Sequence, residues 1–213
     1  MERSRGMWWL VVVVGGVLAT VGIGAVVPED GGPTGFDQVV GDGIDRVLGG
    51  HRGVFEVLVI PSNGYILLPL LAVGAVWYAR RRQWWSAGFL VVAPELVVAV
   101  NAVVLKPLWH RHLHDYLAYP SGHTVQFVAI ATAFVLVAER ARTRVVETVV
   151  AMVVLVVVAV GMIGLGYHYP TDVLGGTAAA VALVTAMYAA VAAIRARRSA
   201  VPTARTTAPT RRR

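Results

Sequence analysis

A series of long apolar runs constrains this chain more than any other feature. They cover residues 8–27, 54–79, 84–109, 122–138, 145–165 and 171–194. A helix rises 1.5 Å per residue, so crossing a hydrocarbon core of ~30 Å takes about 20 apolar residues. A soluble domain must wet its surface and has no place for so many such runs. Here 57% of the 213 residues are apolar and only 15% are charged. The expected fold class is therefore all-α, a bundle of six transmembrane helices in one domain over residues 1–194.

The first run lacks a clean small-x-small cleavage site before Pro28, so it reads as a retained helix rather than a signal peptide. Residues 28–53 are polar and glycine-rich. Within them Phe36, Val39, Val40, Ile44, Val47 and Leu48 recur at helical spacing. That pattern predicts a short amphipathic outer segment on the membrane surface, between helices 1 and 2. Pro61, Gly64 and Pro69 interrupt the second run, which a bundle tolerates because neighbouring groups re-satisfy the backbone. Residues 195–213 are Arg, Thr, Ala and Pro without periodicity and are expected to form a disordered basic tail.

Charge placement orients the bundle. The N-terminus, the turns at 80–82 and 140–144, and the tail hold 15 of the 19 basic residues. Arg46, Arg52, Lys106 and Arg111 fall in the alternate segments, together with most of the acidic residues. Lysine and arginine concentrate in cytoplasmic loops. Both termini are accordingly expected in the cytoplasm, with the 106–123 and 166–171 segments on the extracytoplasmic face of the plasma membrane. The net charge of +7 is then explained by topology and by contact with anionic membrane lipids, and nucleic acid is not an expected partner. With no cysteine, disulfides and thiolate metal sites are excluded.

Chemistry-bearing residues gather at that outer face. Lys106, the single lysine, ends the third run, and Pro120-Ser121-Gly122-His123 opens the fourth. Ser121 is a natural N-cap, and the free N–H groups of a first turn beside glycine make an anion site. His168 precedes Pro170 and Asp172 at the start of the last run. Two helix starts, two histidines, a lysine and an arginine suit a tetrahedral anion such as phosphate, whose transfer needs positioning and charge stabilisation above all.

In these residues the chain resembles the type-2 phosphatidic acid phosphatase family, the integral-membrane branch of a superfamily that includes vanadium haloperoxidases. That family carries K-x6-R-P, then P-S-G-H, then S-R-x5-H-x3-D. The second motif is intact at Pro120–His123, and the third keeps His168 and Asp172. The first has Leu113 and His114 where arginine and proline are expected, and the third has Gly161 and Met162 in place of serine and arginine.

The resemblance implies that His168 is the nucleophile and passes through a phosphohistidine. Asp172 would orient it and His123 would protonate the leaving oxygen. Lys106, Ser121 and the Gly122 N–H would bind the phosphoryl oxygens. Arg111, two residues before the expected arginine, is the expected substitute, with His112 and His114 as further candidates. The substrate would be a lipid phosphate: a polyprenyl phosphate or diphosphate, phosphatidic acid or phosphatidylglycerol phosphate. No metal or other cofactor is implied, since fixed cations and N–H dipoles neutralise the charge. Loss of the two arginines leaves an alternative, a catalytically weakened lipid-phosphate binding or transport protein.

Simpler readings bear on several residues. Trp109, Tyr116, Tyr119, Tyr167 and Tyr169 fit an interfacial aromatic belt. His110, His112 and His114 alternate like solvated loop residues, and no carboxylate pattern supports a zinc site there. Glu95, three turns before Lys106 on a straight helix, is expected to face the bundle interior, with Asn101, in a packing or substrate-cavity role.

Overall fold

The computed structural model describes residues 2–200, with side chains described for 7–198. Nine α-helices are present among them, and the strongly apolar ones assemble into a bundle. Helix α1 (Glu2–Ala25) lies along α9 (Pro170–Ala200). Between them in sequence come α2 (Gly35–Leu48), α3 (Arg52–Val59), α4 (Gly64–Arg80), α5 (Trp84–Val100), α6 (Lys106–Trp109), α7 (Gly122–Val137) and α8 (Ala141–Gly164). Five stretches are long and apolar enough to cross a membrane: Met7–Ala25, Arg52–Arg80, Trp84–Trp109, Ala141–Gly164 and Pro170–Arg198. The sixth apolar helix, Gly122–Val137, has 16 residues. At 1.5 Å per residue it spans only ~24 Å.

Helix α7 forms the centre, packed by α5, α8 and α9. Leu90, Ala93 and Val97 of α5 meet Val125, Ala129 and Ala133 of α7 and Ala180 and Val184 of α9 in the main core. Small residues at these positions let the helix backbones approach closely, as packing within lipid requires. The outer sides of α1, α4 and α8 instead expose Val11, Leu18, Leu70, Val73, Val149, Val153 and Val156. Helices that are apolar all round, including the outward face, match a bundle solvated by hydrocarbon.

Two breaks position the site. Pro61 sits in a single 3-10 turn, Ile60–Ser62, between α3 and α4, where the Ser62 hydroxyl donates to the Val59 carbonyl at 2.8 Å. Between α5 and α6, Asn101–Leu105 is a π-helical segment. A π segment inserts extra residue into the helical repeat and turns everything after it. Glu95 and Lys106 therefore do not share a face. Glu95 is exposed on the outside of α5, whereas Lys106 lines an open cavity between the helix ends. Asn101 is buried and donates to the Pro120 carbonyl at 3.4 Å, so the expected inward pairing of Glu95 with Asn101 is not found.

Two further features depart from the sequence reading, while the expected amphipathic segment is a helix. A two-stranded antiparallel hairpin, β1 (His112–Leu113) and β2 (Tyr116–Leu117), follows α6, with His112 opposite Leu117 and Leu113 opposite Tyr116. Helix α9 continues through Ala200, past the expected end at Ile194, while the remainder of the expected tail lies outside the described residues. The amphipathic segment is α2, which starts at a Thr34–Asp37 capping box. Phe36, Val39 and Val47 are exposed on it, and its buried residue is Asp37.

Candidate active site

The N-terminus of α7 and the loop before α9 meet above the core. His168 and His123 have ring centroids 6.2 Å apart in an edge-on arrangement. They line a cavity of about 510 Å3 together with Val98, Lys106, Tyr116, Gly122, Gln126 and Tyr167. Every segment that the sequence marks for chemistry at this face contributes to it: the end of the third span, the Pro-Ser-Gly-His turn and the His168 loop.

Local structure explains the placement. Ser121 caps α7, its hydroxyl oxygen accepting from the Thr124 N–H at 3.4 Å and the Thr124 hydroxyl at 3.1 Å. It is fully buried, and its own N–H donates to the Asp172 carbonyl at 3.1 Å, which joins the start of α7 to the start of α9. Gly122 faces Lys106, whose Nζ is 3.9 Å from the point a Cβ would occupy. The Lys106 ammonium donates to the Leu117 carbonyl at 2.5 Å. Pro170 opens α9 at the position where a missing N–H costs nothing. Tyr116 donates its hydroxyl to the Tyr167 carbonyl, holding the hairpin against the His168 loop. Burial, then the charge of Asp172, pushes the Tyr116 phenol up, so it remains a donor.

Asp172 is fully buried. Its Oδ2 stands 3.7 Å from His168 Nδ1, within ion-pair range but beyond a hydrogen bond, and that nitrogen has no partner. The same Oδ2 accepts from the Tyr169 N–H at 2.8 Å, and Oδ1 accepts from Arg111 at 2.8 Å.

Arg111 departs from its expected role. It is 1% exposed and is not among the residues lining the cavity. Its Nε donates to the Gly31 carbonyl at 3.2 Å, one terminal nitrogen to Thr171 Oγ1 at 2.7 Å and to Asp172, and the other to the Gly32 carbonyl at 2.8 Å and Asp37 at 3.1 Å. A guanidinium has five N–H donors, and these five bonds use all of them. With no donor left for a phosphate, Arg111 is an internal clamp. His112 and His114 are exposed on the hairpin outside the cavity, His112 Nδ1 against the His110 carbonyl at 2.9 Å and His114 stacked on Tyr116.

The missing family residues also have physical explanations. At Gly161 a Cβ would stand 2.9 Å from the Phe55 carbonyl and the Val59 nitrogen, so α3 crosses α8 too closely for serine. Met162 is fully buried in an apolar cluster with Val59, Val158 and Val173. An arginine there would be an unpaired charge in the core.

Asp37, Thr171 and Gln126 take part without having been singled out, and Tyr116, expected only in an aromatic belt, lines the cavity. Thr34-x-x-Asp37 marks a helix start, and nothing local points to the 74-residue separation across which Asp37 meets Arg111. A second cavity of about 580 Å3 lies at the opposite end of the bundle, between α4, α7 and α8. It holds no histidine, and Gln83 closes on Glu139 there at 2.6 Å.

Residues 101–196 match the family model described as PAP2 superfamily. No curated protein matches the chain. Among solved structures, the chain is similar to the crystal structure of a transmembrane PAP2-type phosphatidylglycerolphosphate phosphatase from Bacillus subtilis. The TM-score is 0.67 at 19% identity, covering 86% of this chain and 97% of that one. At this identity the likeness speaks for the fold, that of a multi-pass membrane protein.

Proposed function

We propose that this PAP2-superfamily chain, whose residues 101–196 carry the family pattern, is a membrane lipid phosphatase acting on a phosphate monoester or diphosphate. The observation that supports it best is the pair of imidazoles, 6.2 Å apart across a cavity that Lys106 and the start of α7 also line. One phosphoryl group fits between two such rings.

His168 attacks phosphorus as the P–O bond to the lipid breaks, and the leaving oxygen takes its proton from His123. Water, giving its proton to His123, then cleaves the phosphohistidine and releases inorganic phosphate. Lys106 and the Gly122 N–H bear on the phosphoryl oxygens, and Ser121 acts through the helix start it caps. Asp172 faces the other nitrogen of His168. The 3.7 Å separation is of the kind that tightens when a reacting complex forms.

The bundle crosses the membrane six times, the 16-residue α7 counted as the short span, with both termini in the cytoplasm. The site then opens on the extracytoplasmic face. Phosphatidylglycerol phosphate, the substrate class in the name of the similar structure, belongs in the test panel with phosphatidic acid and polyprenyl phosphates and diphosphates.

Purified protein given that panel should release inorganic phosphate, inhibited by vanadate and abolished in His168→Ala. Retention of lipid phosphate without release would favour the alternative, a binding or transport protein. One observation points that way: with Arg111 committed elsewhere, Lys106 is the only arginine or lysine among the residues lining the cavity.

A further inference from the structure

Asp37 belongs to none of the family's motifs and lies on the amphipathic outer helix, yet it is 2% exposed and reaches the base of the site. Its Oδ1 accepts from the Thr171 N–H at 2.8 Å. Its Oδ2 accepts from the Thr171 hydroxyl at 2.9 Å, from Arg111 at 3.1 Å and from the Thr34 N–H at 2.9 Å. It therefore caps the first turn of α9 from a different helix, and it shares one guanidinium with Asp172, whose Oδ1 is 2.8 Å from Arg111. Two carboxylates around one cation leave a net negative charge. In a buried setting that charge is felt strongly.

We propose that Asp37 is a positioning residue of the site: by taking up part of the Arg111 charge and fixing the start of α9, it leaves the Asp172 carboxylate available to His168. Without Asp37, Arg111 and Asp172 would form a neutral pair, and Asp172 would hold the His168 imidazolium less firmly. The other groups facing His168 are His123 of α7 and the Tyr116 ring of β2, with Lys106 of α6 and Tyr167 lining the same cavity. Those facing Asp37 are Arg111, Thr171 and Thr34. Asp172 is the carboxylate within ion-pair distance of His168, so the state of that carboxylate governs the ring.

This inference builds on the proposed chemistry, in which His168 reacts neutral and His123 protonated, giving a bell-shaped profile. In Asp37→Asn the acid limb of kcat should move to lower pH, by less than the ~1–3 units that an opposite charge in direct contact gives, because Asp37 acts on His168 through Arg111 and Asp172. KM should stay within about twofold, as expected when ground-state binding is untouched. A cap with a purely structural role would lower kcat at every pH and leave the limb in place.

The second readout does not depend on turnover: the titration of His168 by NMR in histidine-labelled full-length protein in detergent, assigned with His168→Gln. Should the wild type release no phosphate, the phosphatase reading fails while the titration still judges Asp37. Asp37→Asn/Arg111→Met, which removes one charge of each sign, provides a second variant. There Asp172 faces His168 without a competing cation, and the His168 titration should move above that of the wild type. A wild-type titration in either folded variant would overturn the proposal.

Discussion

Single residues decide which cation faces the cavity and which serves the protein's own carboxylates. Lys106 keeps to the cavity, whereas Arg111 is locked between Asp37 and Asp172 with every donor engaged. Removing one member of a buried charge cluster costs about 3–5 kcal/mol because the others are left uncompensated. Arg111→Ala should therefore lower the thermal unfolding midpoint sharply in detergent, by a loss of that order. A variant of wild-type stability with only a raised KM would show instead that Arg111 binds phosphate. Asp37 also sets a pH response. Burial by itself would raise its carboxyl, but the N–H groups of Thr34 and Thr171, the Thr171 hydroxyl and Arg111 outweigh burial and hold it below the usual range. A depressed carboxyl contributes stability that is complete above its ordinary value and is lost as pH falls through the folded one. Unfolding followed below about pH 4 should therefore show a steep loss that Asp37→Asn lacks in that window.

Among the elements, the π segment Asn101–Leu105 carries the most functional consequence. One residue of an α-helix turns ~100°. Inserting one alanine between Leu105 and Lys106 should carry Lys106 round by that angle and off the cavity. Phosphate release should then fall by at least about tenfold, as expected for loss of a phosphate-facing charge, while thermal unfolding stays near that of the wild type. Unchanged release would show that the register of this segment is irrelevant. Close helix crossings set the other elements. A Cβ at Gly175 would stand 2.3 Å from the Tyr119 ring, whose hydroxyl is bonded to the Thr20 carbonyl of α1. The first and last helices are thus tied to the site through one aromatic side chain. Of the two helix starts legible in the sequence, Ser121 caps α7 as its type predicts, while α9 takes part of its cap from Asp37, a partner in another helix.

For the molecule as a whole, the proposed orientation is directly testable because the chain has no cysteine. Asp115→Cys at the hairpin turn should react with an impermeant maleimide added to intact cells. Arg142→Cys in the first turn of α8 should react only after lysis, and the reverse pattern would invert the topology. The sequence by itself determined that the chain is a bundle of apolar helices, where most of them begin and end, and which polar residues stand at the helix starts. Run length, helix breakers and the positions of His123, His168, Lys106 and Asp172 are local properties, set by bilayer thickness and backbone capping. The three-dimensional packing alone decided that the two imidazoles stand 6.2 Å apart, that Glu95 faces outward and that Arg111 belongs to the protein's own carboxylates. Those outcomes depend on helical phase across the π segment and on an ion pair between residues 74 positions apart. Phase and distant pairing arise only when the helices pack, because a side chain's partner is then whatever the neighbouring helix presents.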